Sequence, residues 1–550
     1  MKTFVKLTAL SLLMSSATAI AYETDKVYQF TVLHTNDLHG HFWPNERGEY
    51  GLAAQKTLID KIRTEVETKG GTVLLLNAGD INTGVPESDL QNARPDIEGM
   101  NVIGYDAMTL GNHEFDNPLQ LLEMQEKWAK FPFLAANVRL NKTNELLVKP
   151  YTVLDKQGLK IAVVGLTTED TAKLGNPEFM GAVTFNDPTE TAKQVLAQLD
   201  KNEKPDVKIA LTHMGYYSDG KHGSNAPGDV SMVRNLPLNA FDMVIGGHTH
   251  DTVCVDEKGK IVEDYAPTQA CKPDFQNGTW IMQAGEWGKY VGRADFEFKN
   301  GELNLVDYTL IPVNLKQKTT NAEGKSEYVL YENEIPQDAQ LMEQLKAYQD
   351  KGDELLGVKV GEVKGKLEGD RKVVRFHQTN LGHLIGEAQR ERVNADFAIV
   401  GSGGIRDSIL EGDVTYKDIL KVQPFGNILT YFELKGRDLL DYLNVVAFKE
   451  VDSGAYPQFS RDISMIVDLK NKQLKDIKIQ NQDFDPNKVY RIAILSYWAA
   501  GGDGYPVVTN HPTYVNTGFV DAEVLKEFFI KNSPIDAHQF EPNNAVVFQE

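Results

Sequence analysis

Five short segments carry residue types that bind divalent cations, and each follows an apolar run: Asp37-Leu38-His39, Gly79-Asp80, Gly111-Asn112-His113-Glu114, Thr212-His213 and Gly246-Gly247-His248-Thr249-His250. Taken singly, a histidine is more often a satisfied structural residue than a ligand. Five such segments together are better explained by one shared site, because the carboxyl ends of strands in an open α/β sheet form one edge where ligands collect. Imidazole nitrogen mixed with carboxylate oxygen suits zinc, manganese, iron or cobalt. The set is large enough for two ions, held roughly 3.5–4 Å apart and sharing one carboxylate. Asp80 is the candidate bridge, and Gly79 before it allows a tight turn. Paired cations lower the pKa of water and supply hydroxide at neutral pH, so the implied chemistry is hydrolytic.

A second group of residues could recognise an anion and a flat ring. Arg371 and Arg375 are four apart, and Arg406 ends Gly401-Ser402-Gly403-Gly404-Ile405-Arg406, after the apolar run Phe397 to Val400. Guanidinium groups bind phosphate or carboxylate bidentately. The glycine-rich turn either brings backbone N–H groups to an anion or sugar or is a plain tight turn. Phe425 lies in Gln423-Pro424-Phe425-Gly426-Asn427, and Tyr497 precedes Ala499-Ala500-Gly501-Gly502-Asp503-Gly504. The two rings are either core residues or a stacking pair for a nucleobase. Asp116 either orients His113 or caps a helix starting near Asn117-Pro118, and the two roles are compatible. His34 ends an apolar run and reads as structural. His41, Asn82 and Asp251 receive no role.

Together D-x-H, G-D, G-N-H-E, T-H and G-H-T-H resemble the calcineurin-like metallophosphatase superfamily. HTNDLHGH, NAGDINTG, GNHEFD and GGHTH resemble the 5′-nucleotidase family, most closely its bacterial periplasmic UDP-sugar hydrolase/5′-nucleotidase members. GSGGIRD, QPFGN and GGDGYP resemble that family's nucleotide-recognition region. The resemblance implies that Asp37, His39, Asp80 and His250 hold one cation and that Asp80, Asn112, His213 and His248 hold the other, with zinc, manganese or cobalt as the metal. It implies that His113 is catalytic and stabilises charge on the phosphoryl oxygens, with Asp116 orienting it. Arg371, Arg375 and Arg406 would bind the phosphate or a carboxylate-like end, Phe425 and Tyr497 would sandwich the base, and Asp503 would accept hydrogen bonds from ribose hydroxyls. Two positions depart from the family pattern: Ser402 stands where animal relatives often carry Asn, and Tyr497 where Phe is common. The implied activity is hydrolysis of nucleoside 5′-monophosphates and of UDP-sugars. Other readings are a 2′,3′-cyclic nucleotide or NAD specificity on the same scaffold, or a non-catalytic nucleotide-binding protein.

The remaining sequence frames these residues. Lys2 and Lys6, the apolar stretch Leu7 to Met14, and Ala19-Ile20-Ala21 read as a secretory signal over 1–21, which places the chain in the periplasm without a membrane anchor. In an exported chain the two cysteines, Cys254 and Cys271, are expected to pair. With 57 basic and 78 acidic residues the net charge is −21, which disfavours nucleic-acid polymers as partners; the expected state is a monomer that binds nucleotides. Apolar runs at Val27–His34, Val73–Leu76, Ile161–Val164, Val207–Leu211 and Met243–Ile245, with a helical pattern over Leu52–Lys69, predict an α/β layer architecture. The resemblance specifies an N-terminal metallophosphatase β-sandwich flanked by helices and a separate C-terminal α/β-type nucleotide-recognition domain. Expected boundaries are 22–337 for the dimetal domain, 338–357 for a linker helix and 358–550 for the substrate-recognition domain. Cations and base recognition fall on different lobes, so one substrate must bridge both, and the lobes are expected to move relative to each other.

Overall fold

Apolar runs in the first lobe become strands covered on both faces, which is why they read as continuous rather than alternating. In the computed structural model, which describes residues 22–549 apart from 175–176, 223–224, 264, 268, 322–323 and 544, these strands form two six-stranded sheets. The signal expected over 1–21 lies outside the described residues.

One sheet runs Glu302–Pro312, Tyr290–Lys299, Tyr28–Thr35, Thr72–Asn77, Ala107–Thr109, Phe133–Leu134; the other runs Asp274–Gln276, Thr279–Met282, Met243–Ile245, Val207–His213, Leu159–Thr167, Tyr151–Lys156. Phe30, Val32, Leu74 and Leu76 of the first sheet meet Ile161, Val163, Ile209 and Met243 of the second in a shared core. Their neighbours Leu33, Val73 and Leu75 point outward onto helices Leu52–Thr68 and Arg94–Ile103. Ala162, Val164 and Ala210 point outward onto helices Pro188–Asn202 and Asp229–Asn235. The β period of two thus sends alternate residues to two different cores. Helix Pro188–Asn202 starts where the Asp187 carboxylate accepts from Thr189 N and Glu190 N, with Pro188 in the first turn.

The polar stretch after residue 316 is not a bare connection. It forms the hairpin Lys316–Thr320 with Ser326–Leu330, tied back by Lys316 N donating to Glu49 Oε1 at 2.9 Å. Both faces of this ribbon are largely solvated, so its sequence lacks an apolar stripe.

Helix Ala339–Leu356 follows, capped by Asp338, whose Oδ1 accepts from Leu341 N at 2.8 Å. Leu341 and Leu345 insert fully into the first lobe's outer core. Gln91 Nε2 donates to Tyr348 O at 3.0 Å, and Gln349 Nε2 to Glu87 Oε1 at 3.2 Å. The helix is therefore docked on the first lobe, and its Asp353 lies 4.0 Å from Lys417 of the second. Lys417 of the second lobe also pairs with the buried Glu87.

The second lobe has its own core around a five-stranded sheet ordered Pro457–Phe459, Phe397–Gly401, Val489–Leu495, Ile428–Lys435, Val515–Val520. Phe397–Gly401 and Val489–Leu495 are parallel neighbours, and Ile428–Lys435 is antiparallel to the latter. The loops bearing Arg406, Tyr497 and Phe425 consequently emerge at one end of the sheet.

Leu345→Ala is expected to destabilise the first lobe by about 2–5 kcal/mol. Urea denaturation followed by tryptophan fluorescence should show an earlier first transition. An unchanged midpoint would contradict the docked position of the helix.

Candidate active site

All five ligand-bearing segments sit just past the carboxyl ends of parallel strands. Asp37 and His39 follow Tyr28–Thr35, Asp80 follows Thr72–Asn77, and Asn112 and His113 follow Ala107–Thr109. His213 ends Val207–His213, while His248 and His250 follow Met243–Ile245. The first three strands belong to one sheet and the last two to the other, so the site straddles the mouth of the sandwich.

Glycines permit the closeness. Gly79 has φ +87°, and a Cβ there would lie 2.7 Å from Gly111 N; a Cβ on Gly111 would strike Asp80 Oδ1. The ligands accept a less favourable backbone. Asp37, His39, Asp80, His248 and His250 have φ of 51°, 48°, 56°, 88° and 64°. Such left-handed geometry costs a non-glycine residue roughly 1–2 kcal/mol and persists where the surroundings over-determine it. Here the loops brace one another. Asp37 N donates to Gly79 O and His39 N to Asp80 O, both at 3.0 Å. His248 N donates to Asp37 Oδ2 at 3.1 Å, and His113 N to Asp80 Oδ1 at 2.9 Å. Glu114, buried, accepts from Asp80 N at 3.0 Å, Ile81 N at 2.9 Å and Gly111 N at 2.6 Å. Asn82 Nδ2 also donates to Glu114, at 3.1 Å.

Two groups of electron-rich atoms converge. In the first, His39 Nε2 and His250 Nε2 lie 3.1 Å apart, with Asp37 Oδ1 3.3 Å from His250 Nε2 and Asp80 Oδ2 3.9 Å from His39 Nε2. His39 Nδ1 faces Thr83 O at 2.7 Å, which only an N–H satisfies, and His250 Nδ1 faces Glu286 at 2.6 Å. With each Nδ1 so engaged, Nε2 is the nitrogen each ring has left to offer a cation. In the second group, His213 Nε2 lies 3.0 Å from Asp80 Oδ2 and 3.2 Å from Asn112 Oδ1, and His248 Nδ1 lies 2.7 Å from Asn112 Oδ1. His213 Nδ1 faces Ala78 O at 2.6 Å. Such nitrogens among buried carboxylates fit a cation in each group, with Asp80 common to both.

His113 stands beside this cluster. Its Nδ1 lies 2.6 Å from Asp116 Oδ2, which also accepts from Thr83 Oγ1 at 2.7 Å. Burial works against its imidazolium, but the charges of Asp116 and Asp80 more than offset it and raise the His113 pKa. Asp116 does not cap the next helix: Leu119–Trp128 is preceded by Pro118 and has no side-chain cap.

The second lobe closes a cavity of about 540 Å³ over these groups. Arg371, Arg375, Arg406, Phe425, Tyr497 and Asp503 line it together with Asp80, Asn112 and His113. The Phe425 ring stacks on His113 with centroids 5.9 Å apart, and Arg406 lies 5.5 Å from the Phe425 centroid. Both stacking candidates are half-buried at the cavity wall rather than sealed in the core. Burial, reinforced by Arg371 and Arg406, lowers Arg375 to about 9. Arg406 is lowered by burial and by Arg371. Asp503 accepts from Tyr497 OH at 3.2 Å and Trp498 Nε1 at 3.3 Å. Ser402 is buried and donates to Ser453 O at 3.1 Å.

His34 and His41 do not line this cavity. His34 is fully buried between strands near Tyr308, and burial drops its pKa to about 3. His41 stacks on Trp287 at 4.5 Å. Cys254 and Cys271 form a disulfide just beyond His250. Thr83, Glu114 and Glu286 were given no role by sequence reasoning, although Thr83 lies in NAGDINTG and Glu114 in GNHEFD; only Glu286 lay outside the recognised motifs.

Residues 30–252 match the calcineurin-like phosphoesterase model, and residues 359–510 match the 5′-nucleotidase C-terminal domain model. The chain is 58% identical to protein UshA of Yersinia enterocolitica over 541 residues, covering 98% of each chain. It is also 58% identical to the 5′-nucleotidase of Vibrio vulnificus over 550 residues, covering 100% of this chain and 99% of that one. The crystal structure of a 5′-nucleotidase precursor from Thermus thermophilus superposes with a TM-score of 0.76 at 27% identity, covering 95% of this chain and 100% of that chain. The chain therefore belongs to the 5′-nucleotidase family of calcineurin-like phosphoesterases.

Proposed function

We propose that this chain hydrolyses nucleoside 5′-monophosphates to nucleoside and phosphate, and UDP-sugars to UMP and a sugar 1-phosphate. Asp37, His39, Asp80 and His250 hold one divalent cation; Asp80, Asn112, His213 and His248 hold the second. Zinc, manganese or cobalt suits these donors. When bound, the cations supply positive charge and lower the pKa of water at the reacting phosphorus.

The side chains supply the rest. Arg371, Arg375 and Arg406, which line the cavity, draw in the anionic end of the substrate. Phe425 and Tyr497 hold the base between their faces, which demands no single base. Asp503, steadied by Tyr497 and Trp498, accepts from ribose hydroxyls. His113, its Nδ1 turned on Asp116, presents Nε2 as a donor to the phosphoryl oxygens and stabilises the charge that grows there.

One observation carries this reading: the donor cluster and His113 on one lobe, and the arginines and rings on the other, share a single cavity. The sequence of 1–21 supports export to the periplasm, and among the described residues no helix is long and apolar enough to cross a membrane. We further assign 22–337, 338–357 and 358–550 as dimetal domain, linker helix and substrate-recognition domain, in a monomer.

The decisive experiment is a substrate panel of AMP, UDP-glucose, NAD and 2′,3′-cyclic AMP, run on chelated and metal-restored protein. Chelation should abolish turnover of AMP and UDP-glucose, and manganese, cobalt or zinc should restore it. Tight AMP binding without turnover by metal-restored protein would overturn the enzymatic reading. His113→Ala should lower kcat on AMP by about 10²–10⁴ with KM little changed; a changed KM with intact kcat would remove His113 from the chemistry. Phe425→Ala should raise KM for AMP by about 5- to 150-fold, the equivalent of 1–3 kcal/mol of stacking. The same variant should leave hydrolysis of a phosphate ester lacking a base nearly unaffected; equal loss on both substrates would refute the stacking role.

A further inference from the structure

Glu286 lies between strands Thr279–Met282 and Tyr290–Lys299, outside the five ligand segments. Its Oε2 is 2.6 Å from His250 Nδ1, and its Oε1 accepts from Lys289 Nζ at 2.7 Å. Lys289 Nζ sits 4.0 Å from the centroid of Trp287, whose ring stacks on His41 at 4.5 Å. The Trp287 N–H donates to Asp37 O at 2.7 Å. The turn carrying Glu286 is thus fastened to the strand end that bears Asp37. His39 and His213 turn their Nδ1 atoms on the backbone carbonyls of Thr83 and Ala78 instead.

We propose that Glu286 is a positioning residue for the cation held by Asp37, His39, Asp80 and His250. It fixes the His250 tautomer that leaves Nε2 free, aims the ring, and places a negative charge behind it. An anion at the far nitrogen makes an imidazole a more basic donor, and such outer partners typically contribute about 10- to 100-fold in metal affinity. Glu286 touches a ligand of the first cation only, whereas His213 at the second is backed by a neutral carbonyl, so the effect is largest at the first site. This inference rests on the two-cation reading above.

The test is titration of metal-free protein with Mn²⁺ by calorimetry, and with Co²⁺ by visible absorption, comparing wild type with Glu286→Gln. The glutamine keeps the size and one acceptor but removes the charge. Wild type should bind two ions. The variant should bind one of them about 10- to 100-fold more weakly, with an altered cobalt spectrum, and the other with a smaller loss. Circular dichroism of the metal-free variant should show an intact fold. Two unchanged affinities, or an equal loss at both sites, would overturn the role of Glu286 while leaving the two-cation reading intact. Failure of the wild type to bind a pair of ions would overturn both. Should Glu286→Gln not fold, Glu286→Asp, which withdraws the oxygen by one methylene, is read in the same way.

Discussion

Everything in the first lobe depends on holding electron-rich atoms closer together than they would stand unaided. Asp37 and Asp80 are buried, and imidazole nitrogens face inward around them. A buried charge without a partner costs several kcal/mol even after relaxation. Without cations, protons take their place: burial opposes the His213 and His250 cations, but Asp80 and Asp37 lift them to about 10 and about 9. Cations held there would displace those protons, which would couple occupancy of the site to acidity. The strained backbone at five ligands is the conformational side of the same constraint.

The two lobes answer each other electrostatically. One gathers carboxylates and needs cations; the other gathers guanidinium groups and needs an anion. A phosphate ester satisfies both at once, and a chain of net charge −21 places three arginines at this cavity. The arginines and rings of the second lobe are carried by loops at one end of its sheet.

Much of this was legible in the sequence because ligand residues directly follow apolar runs, and a strand end is where a loop can reach a ligand. The strands over 28–35, 72–77 and 207–213 fall where their apolar residues place them. What was not legible depends on distance in the chain. Glu286 is an ordinary loop acid until the fold brings it to His250, and Thr83 an ordinary hydroxyl until it meets Asp116. Glu114 stands inside a motif, but its service to three backbone N–H groups is visible only in three dimensions. The docking of helix Ala339–Leu356 was hidden because its amphipathic pattern predicts a buried face without naming what covers it. Hairpin 316–330 was hidden because a solvated ribbon has no stripe to read.

Asp80 has a further property. One of its oxygens is turned toward His213 Nε2, while the other accepts the backbone N–H of His113. A disturbance of the carboxylate therefore reaches the turn that carries the imidazole directly. The donor cluster and the mount of the His113 imidazole thus hang on one shared carboxylate.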